Sequence, residues 1–262
     1  MIDLSWMSQP FAHRGLHGGA SGNIENTRSA FVAAMEYGFG FETDLRQARE
    51  GTIMVFHDKT VDRLTQDSGD VSMFTQQQLQ NLSFKNSADQ MMSLGELLAL
   101  VKGKVPILLE LKSDGADRPE SQENFIRRLI DELHGYQGPF AVMSFDPALI
   151  SLLAERAPHM PRGLVSQGFD HAASWPFLSL RQRLSLRNLL SFPQTRPHFI
   201  AYDIKALPAL APLLARSLFK RPLLCWTVRT KGQRKRAQKY CDGMIFEGFL
   251  PSAPDTMQAR SV

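Results

Sequence analysis

The stretch Val105-Pro106-Ile107-Leu108-Leu109-Glu110-Leu111-Lys112 is an apolar run that ends in two charged side chains. Uninterrupted apolar runs of this length are typical of strands that are buried on both faces of a parallel sheet. Side chains two residues apart on a strand point the same way, so Glu110 and Lys112 share one face. Charges at the carboxyl end of such a strand lie where α/β folds place their chemistry. The stretch therefore predicts an α/β fold with a functional site at this strand end.

Seven further strand-like runs accompany this one, and helical patterns lie between them. The eight runs fall at residues 10–13, 40–45, 105–112, 140–144, 162–166, 199–203, 222–228 and 243–247. Helix start signals follow several of them: Asn26 as a cap, a capping box from Ser93 to Glu96, and Asp146 before Pro147. The alternation favours a (β/α)8 TIM barrel, which takes about 250 residues, and this chain has 262. We predict one domain over residues 1–262, with a small insertion at about 58–92 after the second barrel strand. That insertion either covers the barrel mouth or is a long surface loop.

A hairpin is predicted next to the second barrel strand. Residues 41–45 alternate in the period of a strand, so Glu42 and Asp44 project from one face, about 7 Å apart. Residues 53–57 form a second strand-like run, and the link between the two runs is too short for a helical crossover. A turn centred on Glu50-Gly51 would place His57 opposite Asp44, to within a residue or two. We therefore expect an imidazole beside two carboxylates.

Three carboxylates are candidates for a metal site. Glu42 and Asp44 would repel each other on one strand face, which raises their pKa values unless a cation lies between them. Glu110 offers a third carboxylate at the end of the 105–112 strand. Oxygen ligands of this kind suit Mg²⁺, Mn²⁺ or Ca²⁺.

These residues, taken in their order along the chain, resemble the glycerophosphodiester phosphodiesterase family. The resemblance runs from residue 10 to about residue 250. It is carried by His13-Arg14-Gly15, Glu25-Asn26-Thr27, Glu42-x-Asp44, His57-Asp58, Arg63-x-Thr65 with Gly69, and Glu110-Leu111-Lys112, and more weakly by Ser144-Phe145, Trp226-Thr227-Val228 and Asp242-Gly243. Each motif alone would occur by chance, but six in register make coincidence improbable.

The resemblance implies a metal-dependent phosphodiesterase that releases glycerol 3-phosphate and an alcohol. It implies one divalent cation, Mg²⁺ or Ca²⁺, on Glu42, Asp44 and Glu110. His13 and His57 would be the general acid and base, and Arg14 and Lys112 would contact the phosphate, because charge develops on the phosphate oxygens during hydrolysis. Which histidine is the acid stays open, as does direct attack by water against a cyclic phosphate.

The pocket for the leaving group is less defined by the sequence. Trp226 ends a strand-like run, and it either stacks on the glycerol or leaving group or belongs to the core. This chain departs from the usual family pattern at three places. It has Ile24 where the family usually has Pro, and Gln47-Ala48 where the family has Thr. At residues 245–249 it has Ile-Phe-Glu-Gly-Phe where the family tends to have Ile-Thr-Asp followed by Pro. Phe246 and Phe249 would make the pocket larger and more apolar. An alternative activity is therefore a membrane-surface phosphodiesterase that acts on lysophospholipids or other lipid phosphodiesters.

Two basic segments bear on possible partners. From His171 to Tyr202 there is no acidic residue, and Arg181, Arg183 and Arg187 alternate with leucines. This segment is either an outer barrel helix that packs its leucines on the sheet or a helix that makes peripheral contact with an anionic membrane. A second basic cluster, between Arg229 and Lys239, lacks interleaved aromatic residues, so we predict a solvated helix face and no nucleic-acid partner.

Composition sets the remaining bounds. The chain is 43% hydrophobic and 21% charged, with a net charge of +4, as in ordinary globular proteins. The sequence contains no run of eighteen apolar residues, so we predict no membrane-spanning helix. The first residues have no basic region like that of a signal peptide. Cys225 and Cys241 are the two cysteines, and we expect free thiols in a cytoplasmic protein. The expected substrate is a small phosphodiester, and the oligomeric state is not predicted.

Overall fold

The structure is a computed structural model that describes residues 2–18, 22–113, 119–171, 173 and 175–251. The chain divides into two compact units. The first unit is Phe11–Val142, and the second unit is Met1–Pro10 together with Met143–Val262.

The first unit holds the amino-terminal strands and helices. They are β1 (Phe11–Ala12), α1 (Arg28–Glu36), β2 (Gly40–Gln47), β3 (Ile53–Val55), α2 (Gln76–Asn81), α3 (Leu94–Val101), β4 (Ile107–Leu111) and α4 (Pro119–Leu133). The chain passes from this unit to the second within β5 (Phe140–Ser144).

The second unit holds the remaining elements. A short 3-10 helix, Ser5–Ser8, comes from the amino terminus. The others are α5 (Pro147–Arg156), β6 (Arg162–Ser166), α6 (Leu180–Arg187), α7 (Phe192–Thr195), β7 (Phe199–Asp203), α8 (Leu210–Ser217), β8 (Leu223–Val228), α9 (Lys231–Tyr240) and β9 (Gly243–Phe246).

The predicted fold class is confirmed. Eight parallel strands, with helices between them along the chain, make up a (β/α)8 TIM barrel, and β3 is the additional return strand. Each strand begins and ends within two residues of its predicted bounds. The division into one domain with an insertion at about 58–92 stays a prediction.

The hairpin prediction is confirmed within the first unit. β2 pairs with β3 in antiparallel register, with Leu45 opposite Val55. The amide of Phe56 donates to the carbonyl of Asp44 at 3.0 Å, so His57 lies one position beyond the residue opposite Asp44. On its other side β2 pairs with β4 in parallel register, and Asp44 lies opposite Glu110.

Two of the three predicted helix starts are confirmed. Ser93 and Glu96 form a capping box at α3, and the Asp146 side chain accepts from the amide of Ala148 at the start of α5. The prediction that Asn26 caps the first helix is wrong, because Thr27 is the N-cap of α1. The Asn26 side chain instead bonds to residues of β2.

Residues 58–92 are packed rather than open. They contain a 3-10 helix at Val71–Met73 and the short helix α2. Val61, Leu79 and Phe84 are buried in one cluster with Met54 and Phe56 of the hairpin region. The segment therefore has its own small core inside the first unit.

The second unit contains a helix, α6, that does not bury its leucines against the sheet. β6, β7, β8 and β9 pair side by side in parallel. α6 has no buried residue, and the expectation that the leucines of this segment pack on the sheet is wrong for Leu180, Leu184 and Leu190, which are exposed. Leu189, just after the helix, is buried. Cys225 and Cys241 are buried free thiols, as expected. In the described part of the chain, no helix is long and apolar enough to cross a membrane.

Candidate active site

The carboxylates of Glu42, Asp44 and Glu110 meet in the first unit because β2 and β4 run parallel and in register. Asp44 and Glu110 are paired positions, and Glu42 lies two residues back on the same face of β2. All three residues are buried, and one oxygen of each lies within 4.8 Å of the others. The predicted cluster of three carboxylates is therefore present.

The turn after β1 places His13 and Arg14 against this cluster. Gly15 has φ +79°, and a Cβ atom there would lie 2.9 Å from the Cβ of Ala30, so the turn passes close to α1. The backbone amide of Arg14 donates to Oε2 of Glu42 at 3.1 Å. Nε of the Arg14 side chain lies 3.2 Å from Oδ2 of Asp44. Nε2 of His13 lies 3.9 Å from the same oxygen of Glu42.

Asn26 holds Asp44 in place. Its backbone has φ +57°, a left-handed conformation that asparagine tolerates better than most residues. Its Nδ2 donates to Oδ2 of Asp44 at 2.8 Å, and its Oδ1 accepts from the Thr43 hydroxyl at 2.8 Å. The side chain is 2% exposed, so these bonds are made away from bulk water. Asn26 therefore positions Asp44 and does not act as the helix cap that the sequence predicts.

Lys112 lies between two of the carboxylates. Its Nζ is 2.9 Å from Oδ1 of Asp44 and is also bonded to Oε1 of Glu110. Burial would lower the pKa of Lys112, but the charges of Asp44 and Glu110 outweigh burial and raise it. Lys112 is therefore a fixed cation at the strand end.

His57 begins a network of ion pairs that returns to Arg14. Nδ1 of His57 lies 2.7 Å from Oδ1 of Asp58, and Nε of Arg63 donates to the other Asp58 oxygen at 2.5 Å. Arg63 also donates to both oxygens of Glu25, at 2.6 and 3.1 Å. Glu25 in turn accepts from Nη1 of Arg14 at 2.8 Å. Arg63 thus joins the loop of His57 to the loop of Arg14.

Burial and neighbouring charges shift the pKa values of the site residues in different directions. Burial, followed by the charges of Asp44 and Glu110, raises the pKa of Glu42 well above its usual range. Burial also acts to raise the pKa of Asp44, but the charges of Lys112, His57 and Arg14 outweigh it and hold that pKa far below its usual range. Burial lowers the pKa of His57, which favours the neutral imidazole.

The donor set fits a hard divalent cation. When all three carboxylates are ionised, they carry one more charge than Arg14 and Lys112 neutralise. Within the described residues, Oε1 of Glu42 is a buried oxygen without a hydrogen-bond partner. A buried acceptor of this kind is costly unless a cation or water binds it, and oxygen-only ligands suit Mg²⁺ or Ca²⁺.

The remaining predicted residues lie in the second unit. Trp226 is half-buried, and its ring meets Phe145 edge to face at 5.3 Å. Phe246 is 1% exposed and packs on Phe249, so the expectation that it enlarges a pocket is wrong. Asp242, in the weakest part of the resemblance, makes a two-pronged ion pair with Arg216 and accepts from the Leu223 amide, which is a structural role.

Known proteins resemble this chain along most of its length. A family model described as the glycerophosphoryl diester phosphodiesterase family matches residues 13–256. A glycerophosphodiester phosphodiesterase of Caldanaerobacter subterraneus subsp. tengcongensis is 31% identical over 160 residues, which are 58% of this chain and 65% of that relative. The match therefore spans slightly less than two thirds of that relative. The Bacillus subtilis (strain 168) protein YhdW is 29% identical over 256 residues, 93% of this chain and 94% of YhdW.

Solved structures share the fold. An Oleispira antarctica phosphodiesterase in complex with its product sn-glycerol-3-phosphate has a TM-score of 0.74 and 18% identity, over 92% of this chain and 94% of that chain. A glycerophosphodiester phosphodiesterase from Thermotoga maritima has a TM-score of 0.68 and 20% identity, over 90% and 93% of the two chains. At these identities the likeness concerns the fold alone.

Proposed function

Since the chain belongs to the glycerophosphoryl diester phosphodiesterase family, we propose that it hydrolyses glycerophosphodiesters to glycerol 3-phosphate and an alcohol. The observation that carries the proposal is the buried cluster of Glu42, Asp44 and Glu110 with Arg14 and Lys112 bonded to it. A phosphodiester is an anion that repels nucleophiles, and cationic groups are needed to accept the charge that develops on its oxygens.

A divalent cation would be held by Glu42, Asp44 and Glu110. When bound, it would supply a Lewis acid for the phosphate oxygens and for an attacking hydroxyl group. Arg14 and Lys112 would bind the non-bridging oxygens, because each is a cation held at the carboxylate cluster by short contacts. Asn26 would keep Asp44 oriented as a ligand through its bond to Oδ2.

His57 is suited to be the general base. Its lowered pKa favours the neutral ring, and its Nδ1 is engaged with Asp58, so Nε2 is the atom that would take a proton. His13 would then be the general acid that protonates the leaving alcohol. The first product distinguishes attack by water from attack by a substrate hydroxyl. A cyclic phosphate that accumulates early would indicate attack by the substrate hydroxyl.

The test is release of glycerol 3-phosphate from glycerophosphocholine and glycerophosphoethanolamine, with Mg²⁺, Ca²⁺ or EDTA. We expect metal-dependent turnover that falls at least about a thousandfold in His57→Ala and His13→Ala, since each residue would transfer a proton. His134→Ala is the matched control, because His134 is an exposed histidine of the same unit outside the network. Turnover that EDTA or the His57 substitution leaves unchanged would contradict the proposal.

A lysophospholipid is the second candidate substrate. The observation that favours it is the set of exposed apolar side chains Phe177, Leu180 and Leu184 in the second unit, which small polar substrates do not require. The same assay with a lysophospholipid ranks the two substrates by kcat/KM. The cytoplasmic location stays a prediction.

A further inference from the structure

Charge is distributed very unevenly along this chain. Residues 171–241 contain fourteen lysines and arginines and one acidic residue, Asp203, although the whole chain has a net charge of only +4. All of these residues belong to the second unit. This part of the second unit therefore carries an excess of positive charge, which favours an anionic partner.

α6 combines this basic charge with exposed apolar side chains. Leu180 and Leu184 are 62% and 47% exposed, and they share a face of α6 because they are four residues apart. Phe177 just before the helix and Leu190 just after it are 67% and 63% exposed. Four large apolar side chains in fourteen residues are thus in contact with water, which costs free energy unless something covers them.

The backbone of α6 is held in place without burying those side chains. Ser179 and Gln182 form a capping box at its first turn. At its last turn the hydroxyl of Ser166 donates to the carbonyl of Leu186 at 2.8 Å, and that of Tyr202 donates to the carbonyl of Arg187 at 3.0 Å. These bonds attach the end of α6 to β6 and β7 while Leu180 and Leu184 stay exposed.

Basic side chains flank the exposed leucines. Arg181 is exposed between Leu180 and Leu184 in sequence. Nε of Arg183 is a buried donor with no hydrogen-bond partner in the part of the chain that the structure describes. Arg187 pairs with Asp170 at 2.7 Å, and both are about half exposed. The exposed surface around α6 therefore combines apolar side chains with positive charge.

We propose that α6, together with Phe177, binds the surface of an anionic lipid bilayer. Phe177, Leu180 and Leu184 would enter the boundary between headgroups and acyl chains, and Arg181 would face the lipid phosphates. A nucleic acid would use the arginines but gain nothing from exposed leucines. A second copy of the chain would place one basic face against another, which is repulsive. The apolar and basic groups together therefore favour a bilayer.

The test is sedimentation of the full chain with vesicles, without any substrate. Vesicles of phosphatidylcholine alone are compared with vesicles of phosphatidylcholine and phosphatidylglycerol. We expect binding to the anionic vesicles alone, a loss of about tenfold or more in Leu180→Gln/Leu184→Gln, and a loss of about fivefold in Arg181→Gln, since each basic residue adds about 1 kcal/mol. All three substituted residues are exposed, so the variants should fold, as circular dichroism can confirm.

Matched controls are available on other helices. Leu210→Gln replaces a leucine that is 74% exposed on α8, and Arg127→Gln replaces an arginine that is 64% exposed on α4. Both should bind vesicles as the wild type does.

Four results would overturn the proposal. They are no vesicle binding by the wild type, equal loss in Leu210→Gln, binding of an oligonucleotide that depends on Arg181 but not on the leucines, and a dimer in light scattering that the double leucine variant abolishes. Because the assay needs no turnover, its failure is separate from a failure of the proposed hydrolysis.

Discussion

Replacing Arg63 by alanine would cut the network that joins the loop of His57 to the loop of Arg14. Arg63 donates to Asp58, which is bonded to Nδ1 of His57, and to Glu25, which is bonded to Arg14. The substitution would leave two carboxylates without their cation. His57 and Arg14 would both lose the group that holds their partner in place.

The cost in stability should be small. A charge-assisted hydrogen bond in a buried site is worth about 1.5–3 kcal/mol. The side chain of Arg63 is 47% exposed, and solvent screening reduces such pairs to about 1 kcal/mol or less each. We therefore expect Arg63→Ala to lower the free energy of unfolding by about 1–2 kcal/mol, so the variant should still fold.

The cost in activity should be larger. A displacement of about 1 Å in a group that takes part in the chemistry can lower the rate about a hundredfold. We expect kcat for glycerophosphocholine hydrolysis to fall by about ten- to a hundredfold, with little change in KM. Guanidinium ion added to Arg63→Ala should restore part of kcat, because it can occupy the space between Asp58 and Glu25. Arg63→Lys should be intermediate, since an ammonium cannot bond to both carboxylates in a fork.

Arg127→Ala is the control for the loss of an exposed positive charge. Its side chain is 64% exposed, and it lies 3.9 Å from Asp131 of the same helix, so neither kcat nor stability should change measurably. A kcat of Arg63→Ala equal to that of the wild type, at equal stability, would refute the positioning role. A loss confined to KM would also refute it, because it would mean that Arg63 binds substrate directly.

Three further predictions concern the carboxylate cluster and a half-buried histidine. Asn26→Ala should lower the free energy of unfolding by about 2–4 kcal/mol in urea titrations, because it removes buried hydrogen bonds to Asp44 and to the Thr43 hydroxyl; a change below about 0.5 kcal/mol would be inconsistent with the bonds described. Mg²⁺ or Ca²⁺ at about one hundred times its Kd should raise that free energy by about 2.7 kcal/mol, and Glu42→Gln should weaken this effect; equal stabilisation of both proteins would exclude Glu42 as a ligand. Burial, with Arg162 and Arg221, lowers the pKa of His198 to about 4. Between pH 6.5 and about 4 the unfolded chain therefore binds more protons than the folded chain, and the free energy of unfolding decreases as the pH is lowered. Allowing for partial exposure, the loss from pH 7 to 5 should be about 1 kcal/mol and should be absent in His198→Gln; an equal loss in both proteins would assign it to other groups.

The sequence by itself determined the strands and the part of the site that lies on them. Alternation along residues 41–45 put Glu42 and Asp44 on one face, and a short link made 53–57 the antiparallel return strand that brings His57 near Asp44. Parallel pairing of β2 and β4 then placed Glu110 opposite Asp44. These features follow from strand periodicity and from hydrogen bonding between neighbouring strands, which short stretches of sequence encode.

Tertiary structure alone decided what the loops contribute and which helix faces stay exposed. The sequence predicts that the Asn26 side chain caps a helix, but the left-handed backbone at this position turns the side chain toward β2. Arg63 reaches Glu25 across 38 positions of the chain. The sequence of α6 has the pattern of a packed helix, yet Leu180 and Leu184 are exposed, and bonds to backbone carbonyls attach the helix to its neighbours. Local periodicity specifies which side chains share a face, but contacts between distant segments depend on where each loop ends in space, and no short stretch of sequence contains that information.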